Sequence, residues 1–288
     1  MIVVGTNAQP DSQPALAWAA DEACRRQTVL RVIYVLSMPA VLVGPIGDAS
    51  VLPEEVFESA HEITQRAAAA ARERGVATVE SAVEIGSPAA VMVRESEDAE
   101  LVVLGSRGRG DIATAVLGSV MVTVTSHAHC PVVVVRPRSV EQLDSEHGVV
   151  VGIDGSRHSG SAVAFAADMA SRAGVPLVVL SAWHLPRHGP LSAAWSLTGK
   201  DENRSKAEAA ARELLDGVVE RLRATHPRLA VIGRVVEGDA GMMLAQASRR
   251  AGLLVVGSRG LGGFRGLLLG SVSHHVVHDA TCPVAVVR

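Results

Sequence analysis

The sequence predicts an α/β protein made of two tandem domains, each a five-stranded, doubly wound parallel sheet. Three observations lead there. A chain of 288 residues suggests about two domains, at roughly 150 residues each. Apolar residues make up 48% of the chain but aromatics only 2%, so the core must be built from Val, Leu, Ile and Ala. Those residues come in runs such as LVVLG and PVVVVRP, which suit strands buried on both faces beneath helices. Finally, the whole pattern occurs twice. IVVGTNAQPDSQPALAWAADEA near the start parallels VVVGIDGSRHSGSAVAFAADMA from Val149, ELVVLGSRGRG parallels GLLVVGSRGLG, and HCPVVVVRP parallels TCPVAVVR.

The offset between copies is 147 at Gly5 and Gly152 but 152 at Gly105 and Gly257, so the second copy carries about five extra residues near HLPRHGPLSAAWSLTGK. A period this long marks a duplicated domain and not a solenoid. The expected domains are residues 1–137 and 148–288, joined by RPRSVEQLDSEHG.

Taken in order, the first copy opens with strand IVVG and an amphipathic helix from about Pro14 to Arg26. LRVIYVL is the second strand. After a long loop, PEEVFESAHEITQRAAAAARERG has acids at its start and arginines near its end, which complements a helix dipole. VATVESAVEI is the third strand. SPAAVMVRESED then opens a helix with Ser87 at the N-cap and Pro88 at the first helical position. The fourth strand, LVVLG, runs into a glycine-rich segment, a helix and a last strand. Alternation of strands and helices with right-handed crossovers gives the doubly wound sheet.

The two glycine segments, GSRGRGDIATAVLGS and GSRGLGGFRGLLLGS, share the spacing Gly-x2-Gly-x9-Gly-Ser. Each lies at the C-terminal end of a strand and just before a helix, where sheets of this kind bind ligands. Gly257, Gly260 and Gly270 let backbone amides approach an anion. Ser271 starts a helix whose N-terminus favours negative charge, and Arg259 or Arg265 can offset phosphate. A phosphate-bearing ligand is expected.

Other classes fit less well. The chain has no Gly-x4-Gly-Lys-Ser/Thr, no Gly-x-Ser-x-Gly elbow and no glycine fingerprint after its first strand, which argues against P-loop, serine-hydrolase and dinucleotide chemistry. Net charge is −3 with no basic tract, so nucleic acid is not an expected partner. No apolar run reaches the roughly 20 residues of a membrane span, and MIVVGTNAQP has no leader-like pattern; a cytoplasmic protein is expected. Cys24, Cys130 and Cys282 read as reduced structural thiols. His274, His275 and His278 fall within the last helix with no acidic partner evident, and read as surface or interface residues and not as metal ligands.

Gly105-Ser-Arg107-Gly108 with Gly118-Ser119, and Gly257-Ser-Arg259-Gly260 with Gly270-Ser271, resemble the ATP-binding signature of universal stress proteins. VVGIDGS and CPVAVV resemble the same family, and the resemblance spans both copies. It implies ATP as ligand, with Mg2+ accompanying the phosphates, and Asp154 near the adenine end. It also implies a homodimer, an unidentified regulatory protein partner, and a role in adaptation to low oxygen, starvation or slowed growth. No catalytic residue is expected, and any ATPase activity would be slow and incidental. The first copy departs from the pattern at Asn7, which stands where Asp is usual. Asp111 and Ala113 there replace Gly263 and Arg265, so the N-terminal site is expected to bind more weakly. Two alternatives stay open: a nucleotide-free interaction module, and an adenylyl-transferring enzyme, although neither an SGGxDS nor an HIGH signature is present.

Overall fold

The computed structural model describes residues 1–7, 9, 12–37, 53–106, 118–136, 143–144, 146–185, 200–262 and 269–288. The chain divides into two compact units, Met1–Val140 and Glu141–Arg288.

In the first unit the elements run β1 (Ile2–Thr6), α1 (Gln13–Arg26), β2 (Leu30–Leu36), α2 (Glu54–Glu73), β3 (Val79–Ile85), α3 (Pro88–Glu95), β4 (Leu101–Gly105), α4 (Ser119–His127) and β5 (Val132–Val135). The strands are parallel, in the order β3-β2-β1-β4-β5, with Ile2 in register with both Leu30 and Leu101. The second unit repeats the plan with β6 (Val149–Ile153), α5 (Arg157–Ala173), β7 (Leu177–Trp183), α6 (Lys200–Thr225), β8 (Val231–Glu237), α7 (Ala240–Ala247), β9 (Leu253–Gly257), α8 (Ser271–Asp279) and β10 (Val284–Val287). Its order is β8-β7-β6-β9-β10, also parallel.

The apolar runs occupy the centres of these sheets. Ile2, Val3 and Val4, Leu101 to Val103, and Leu253 to Val255 are fully buried, as strands covered on both faces require. Edge strand β3 carries Glu80 and Glu84, which pair with Arg31 and Arg94. Winding reverses between β1 and β4 and again between β6 and β9, so the residues just after those strands lie side by side at a switch point. Asn7 follows β1 and Ser106 follows β4 in the first unit, and in the second Asp154 meets the segment after Gly257.

The first helix differs between the units. α1 starts at Gln13, whereas α5 starts three residues earlier in equivalent numbering, at Arg157. Pro14 accounts for this. It lacks an N–H and is tolerated only in a first turn, which opposes a start as early as that of α5; Ser161 holds the matching place in α5. Ser12, at the α1 N-cap, makes no capping bond, and its hydroxyl instead donates to the Gln9 carbonyl at 2.8 Å. Ser156 caps α5 by accepting from the Ser159 N–H at 3.1 Å. Ser87 does stand at the N-cap of α3 and Pro88 at its start, but the Ser87 side chain makes no capping hydrogen bond.

All three cysteines are free. Burial pushes the Cys130 thiol up to about 11 and the Cys282 thiol up to about 12. Cys24 is half-buried on α1, with its sulfur 3.7 Å from the Arg74 carbonyl oxygen. Among the described residues, no helix is long and apolar enough to cross a membrane.

Candidate functional site

In the second unit, β6 delivers Asp154 to the switch point and β9 delivers the glycine segment beside it. Asp154 Oδ1 accepts from the Ser156 N–H at 2.9 Å, forming the turn that leads into α5. Its Oδ2 accepts from the Leu261 N–H at 3.0 Å, 107 residues further along the chain. The Ser156 hydroxyl adds a longer bond to the Arg259 carbonyl at 3.4 Å. Partial burial works to raise the Asp154 pKa, but the hydrogen bonds from Ser156, Leu261 and Ser159 outweigh it and hold the carboxyl below its ordinary value. Asp154 is therefore an anion at neutral pH.

The glycines here have structural reasons of their own. A Cβ on Gly257 would lie 2.8 Å from the His158 carbonyl carbon, in the first turn of α5. A Cβ on Gly260 would overlap Asp154 Oδ2, closer than any real side chain tolerates. The Gly270 N–H is also committed, donating to the Ser258 carbonyl at 2.7 Å. The Ser273 hydroxyl donates to the Gly257 carbonyl at 2.6 Å, tying α8 back to the end of β9.

What remains open is the head of α8. Its first N–H groups have no intrahelical acceptor, and its N-cap is Gly270, so no side chain fills the cup. α4 has the same arrangement with Gly118 at its N-cap and Ser119 as its first residue. By contrast, α5 and α7 are closed by the side chains of Ser156 and Asp239. Ser271 is exposed at the head of α8. The Arg259 backbone lies against Gly270, and burial first and the Arg259 charge second lower the Arg288 pKa. The other side of the Asp154 turn opens on a cavity of about 540 Å3 between α5 and α6. Its walls combine apolar Ile153, Val163, Leu214 and Val218 with polar Ser156, Arg221 and His226.

In the first unit, Asn7 Oδ1 accepts from the Gln9 N–H at 2.9 Å and reproduces one arm of the Asp154 turn. The Thr6 and Ser12 hydroxyls lie 3.3 Å apart beside it. Gly105 ends β4, and the Ser106 N–H bonds the Val135 carbonyl as Ser258 bonds Val287. Arg107, Gly108, Asp111, Ala113, Gly263 and Arg265 lie outside the described residues.

Two features were not anticipated. Arg288 was not singled out, although an arginine follows the last strand of both copies. The histidines of α8 do have an acidic partner, and the expectation of none is corrected. His275 Nε2 lies 3.4 Å from Asp279 Oδ2 and His278 Nδ1 lies 2.8 Å from Asp279 Oδ1, because a spacing of four places His275 and Asp279 on one helical face.

A model of the universal stress protein family matches residues 1–136 and 147–288. A universal stress protein of Mycolicibacterium smegmatis is 36% identical over 296 residues, spanning 100% of this chain and 96% of its own length. One from Mycobacterium tuberculosis is 36% identical over 294 residues, with the same shares covered. Among solved structures, a universal stress protein from Archaeoglobus fulgidus superposes with a TM-score of 0.71 at 20% identity, covering 100% of this chain and 98% of that one.

Proposed function

On the premise that this chain belongs to the universal stress protein family, we propose that it is an ATP-binding regulator or sensor of stress adaptation, with its stronger site in the C-terminal unit. The observation that carries this reading is the head of α8. Gly270 leaves its amides uncapped, and the Arg259 backbone packs against Gly270. Amides at a helix N-terminus with an arginine in the adjoining turn suit a polyphosphate. Mg2+ would accompany the phosphates, which supply oxygen ligands to such ions.

No catalytic role is assigned. Both Asp154 oxygens accept backbone hydrogen bonds, and its depressed pKa makes it a weak general base. Asp154 is therefore poorly suited to act as the base of ATP hydrolysis, and slow, incidental hydrolysis is part of the proposal. A homodimer and a regulatory protein partner belong to the same proposal, and sedimentation of the purified protein tests the first.

One observation favours a second reading. The Leu261 and Gly270 N–H groups are satisfied within the protein, as a nucleotide-free interaction module would require. Denaturing freshly purified protein and quantifying the released nucleotide per chain separates the two. Under the ATP reading, wild type and Gly118→Glu release ATP while Gly270→Glu loses most of it. If wild type releases none and takes up none when ATP is added, the interaction module is the better description.

A further inference from the structure

Asp154 stands at the candidate site, yet its geometry points inward. Both carboxylate oxygens accept from backbone N–H groups that belong to two different segments, Ser156 at the head of α5 and Leu261 in the glycine loop. We propose that Asp154 is a positioning residue: a two-armed clamp that fastens the first turn of the glycine loop to the β6–α5 turn before any ligand arrives.

Three further observations fit the clamp. Gly260 lies against Asp154 Oδ2 so closely that any side chain there would expel the carboxylate. The clamp thus supplies a reason for glycine at 260 that involves no ligand. The Ser156 hydroxyl, which caps α5, also reaches the Arg259 carbonyl, so the same turn holds the loop at a second point. The first unit shows how one arm works alone. Asn7 offers its oxygen to the Gln9 N–H, and its other terminal group is an NH2, which cannot accept a hydrogen bond. A carboxylate can serve two N–H groups on its two oxygens; an amide in the same pose serves one. The substitution of Asn for Asp therefore removes the second arm from the N-terminal unit by chemistry alone.

This deepens the reading above, since the clamped loop is the one assigned to the phosphates, but the clamp exists without nucleotide. Its test therefore uses full-length, nucleotide-stripped protein and reads individual amides by hydrogen exchange. Asp154→Asn is nearly isosteric and keeps the Ser156 arm, as Asn7 does. Exchange at the Leu261 amide should accelerate about tenfold or more, because a charge-assisted bond is lost, while exchange at Ser156 changes less than about twofold. Protection at both amides unchanged in Asp154→Asn would overturn the proposal.

A thermal-melt cycle provides the second arm of the test. Gly260→Ala should lower the melting temperature in wild type and lose most of that penalty in an Asp154→Ala background, since neighbours in contact couple. Equal penalties in both backgrounds would also overturn it. Neither readout depends on whether ATP binds, so failure of the clamp and failure of the nucleotide reading are distinguishable.

Discussion

At the end of its first strand the N-terminal unit carries Asn7 and the C-terminal unit Asp154, and the helices that follow begin three residues apart in equivalent numbering. The same strand order and the same glycine spacing surround both positions. Among the described residues, Asn7 makes one hydrogen-bonded arm before an uncapped helix, whereas Asp154 makes two before a capped one. The comparison teaches that duplicated strand-to-helix turns can diverge in their hydrogen bonding while the glycine spacing beside them stays identical.

The largest expected effect breaks the likeness elsewhere. Glu22 is buried on α1 and pairs with Arg25 at 2.9 Å and Arg26 at 2.6 Å, where the C-terminal unit has Met169, Arg172 and Ala173. Glu22→Met leaves Arg26 without its closest anion and should cost about 3 kcal/mol. Adding Arg26→Ala, which copies the other unit, should bring stability back to within about 1 kcal/mol. Denaturant melts of the two variants check both steps.

A smaller effect sharpens the contrast between the turns. In a Gly270→Glu background, Asn7→Asp with Pro14→Ser rebuilds the second arm and frees α1 to start earlier. ATP affinity of the N-terminal unit should rise about tenfold, near 1.4 kcal/mol, by calorimetric titration. An unchanged affinity would place the difference between the halves outside these turns.

The smallest effect is a pH dependence. The Asp154 pKa is held below its ordinary 3.8, so the folded state favours the carboxylate more than the unfolded chain does. That stabilisation is fully present above the unfolded value and is lost as pH falls through the lower folded one. The difference in urea midpoint between wild type and Asp154→Ala should stay constant from about pH 7 to 5 and shrink below about pH 4.

Much of the fold was legible because burial on both faces writes itself into runs such as LVVLG, and because repetition exposed the domain plan. The glycine spacing pointed to the segment between β9 and α8 and attributed Gly257 and Gly260 to a ligand. The structure sets Gly257 against the backbone of His158 and Gly260 against Asp154. Neither contact is local, and the Asp154–Leu261 bond joins residues 107 apart, beyond the reach of any periodicity. Ser87 shows a different limit: pattern placed it at an N-cap, whereas a capping bond depends on side-chain orientation. The pairing of His275 with Asp279 was available in their spacing of four. The site roles of Arg107, Gly108 and Arg265 fall on residues outside those described.

The burial of Cys130 and Cys282 within the two sheets has a practical consequence. With thiols held near 11 and 12, neither forms an appreciable thiolate at neutral pH. That leaves Cys24, on the first helix of the N-terminal unit, as the natural address for a maleimide fluorophore. A label there marks the N-terminal unit alone, on the α1 end that packs near Arg74, without engineering a cysteine.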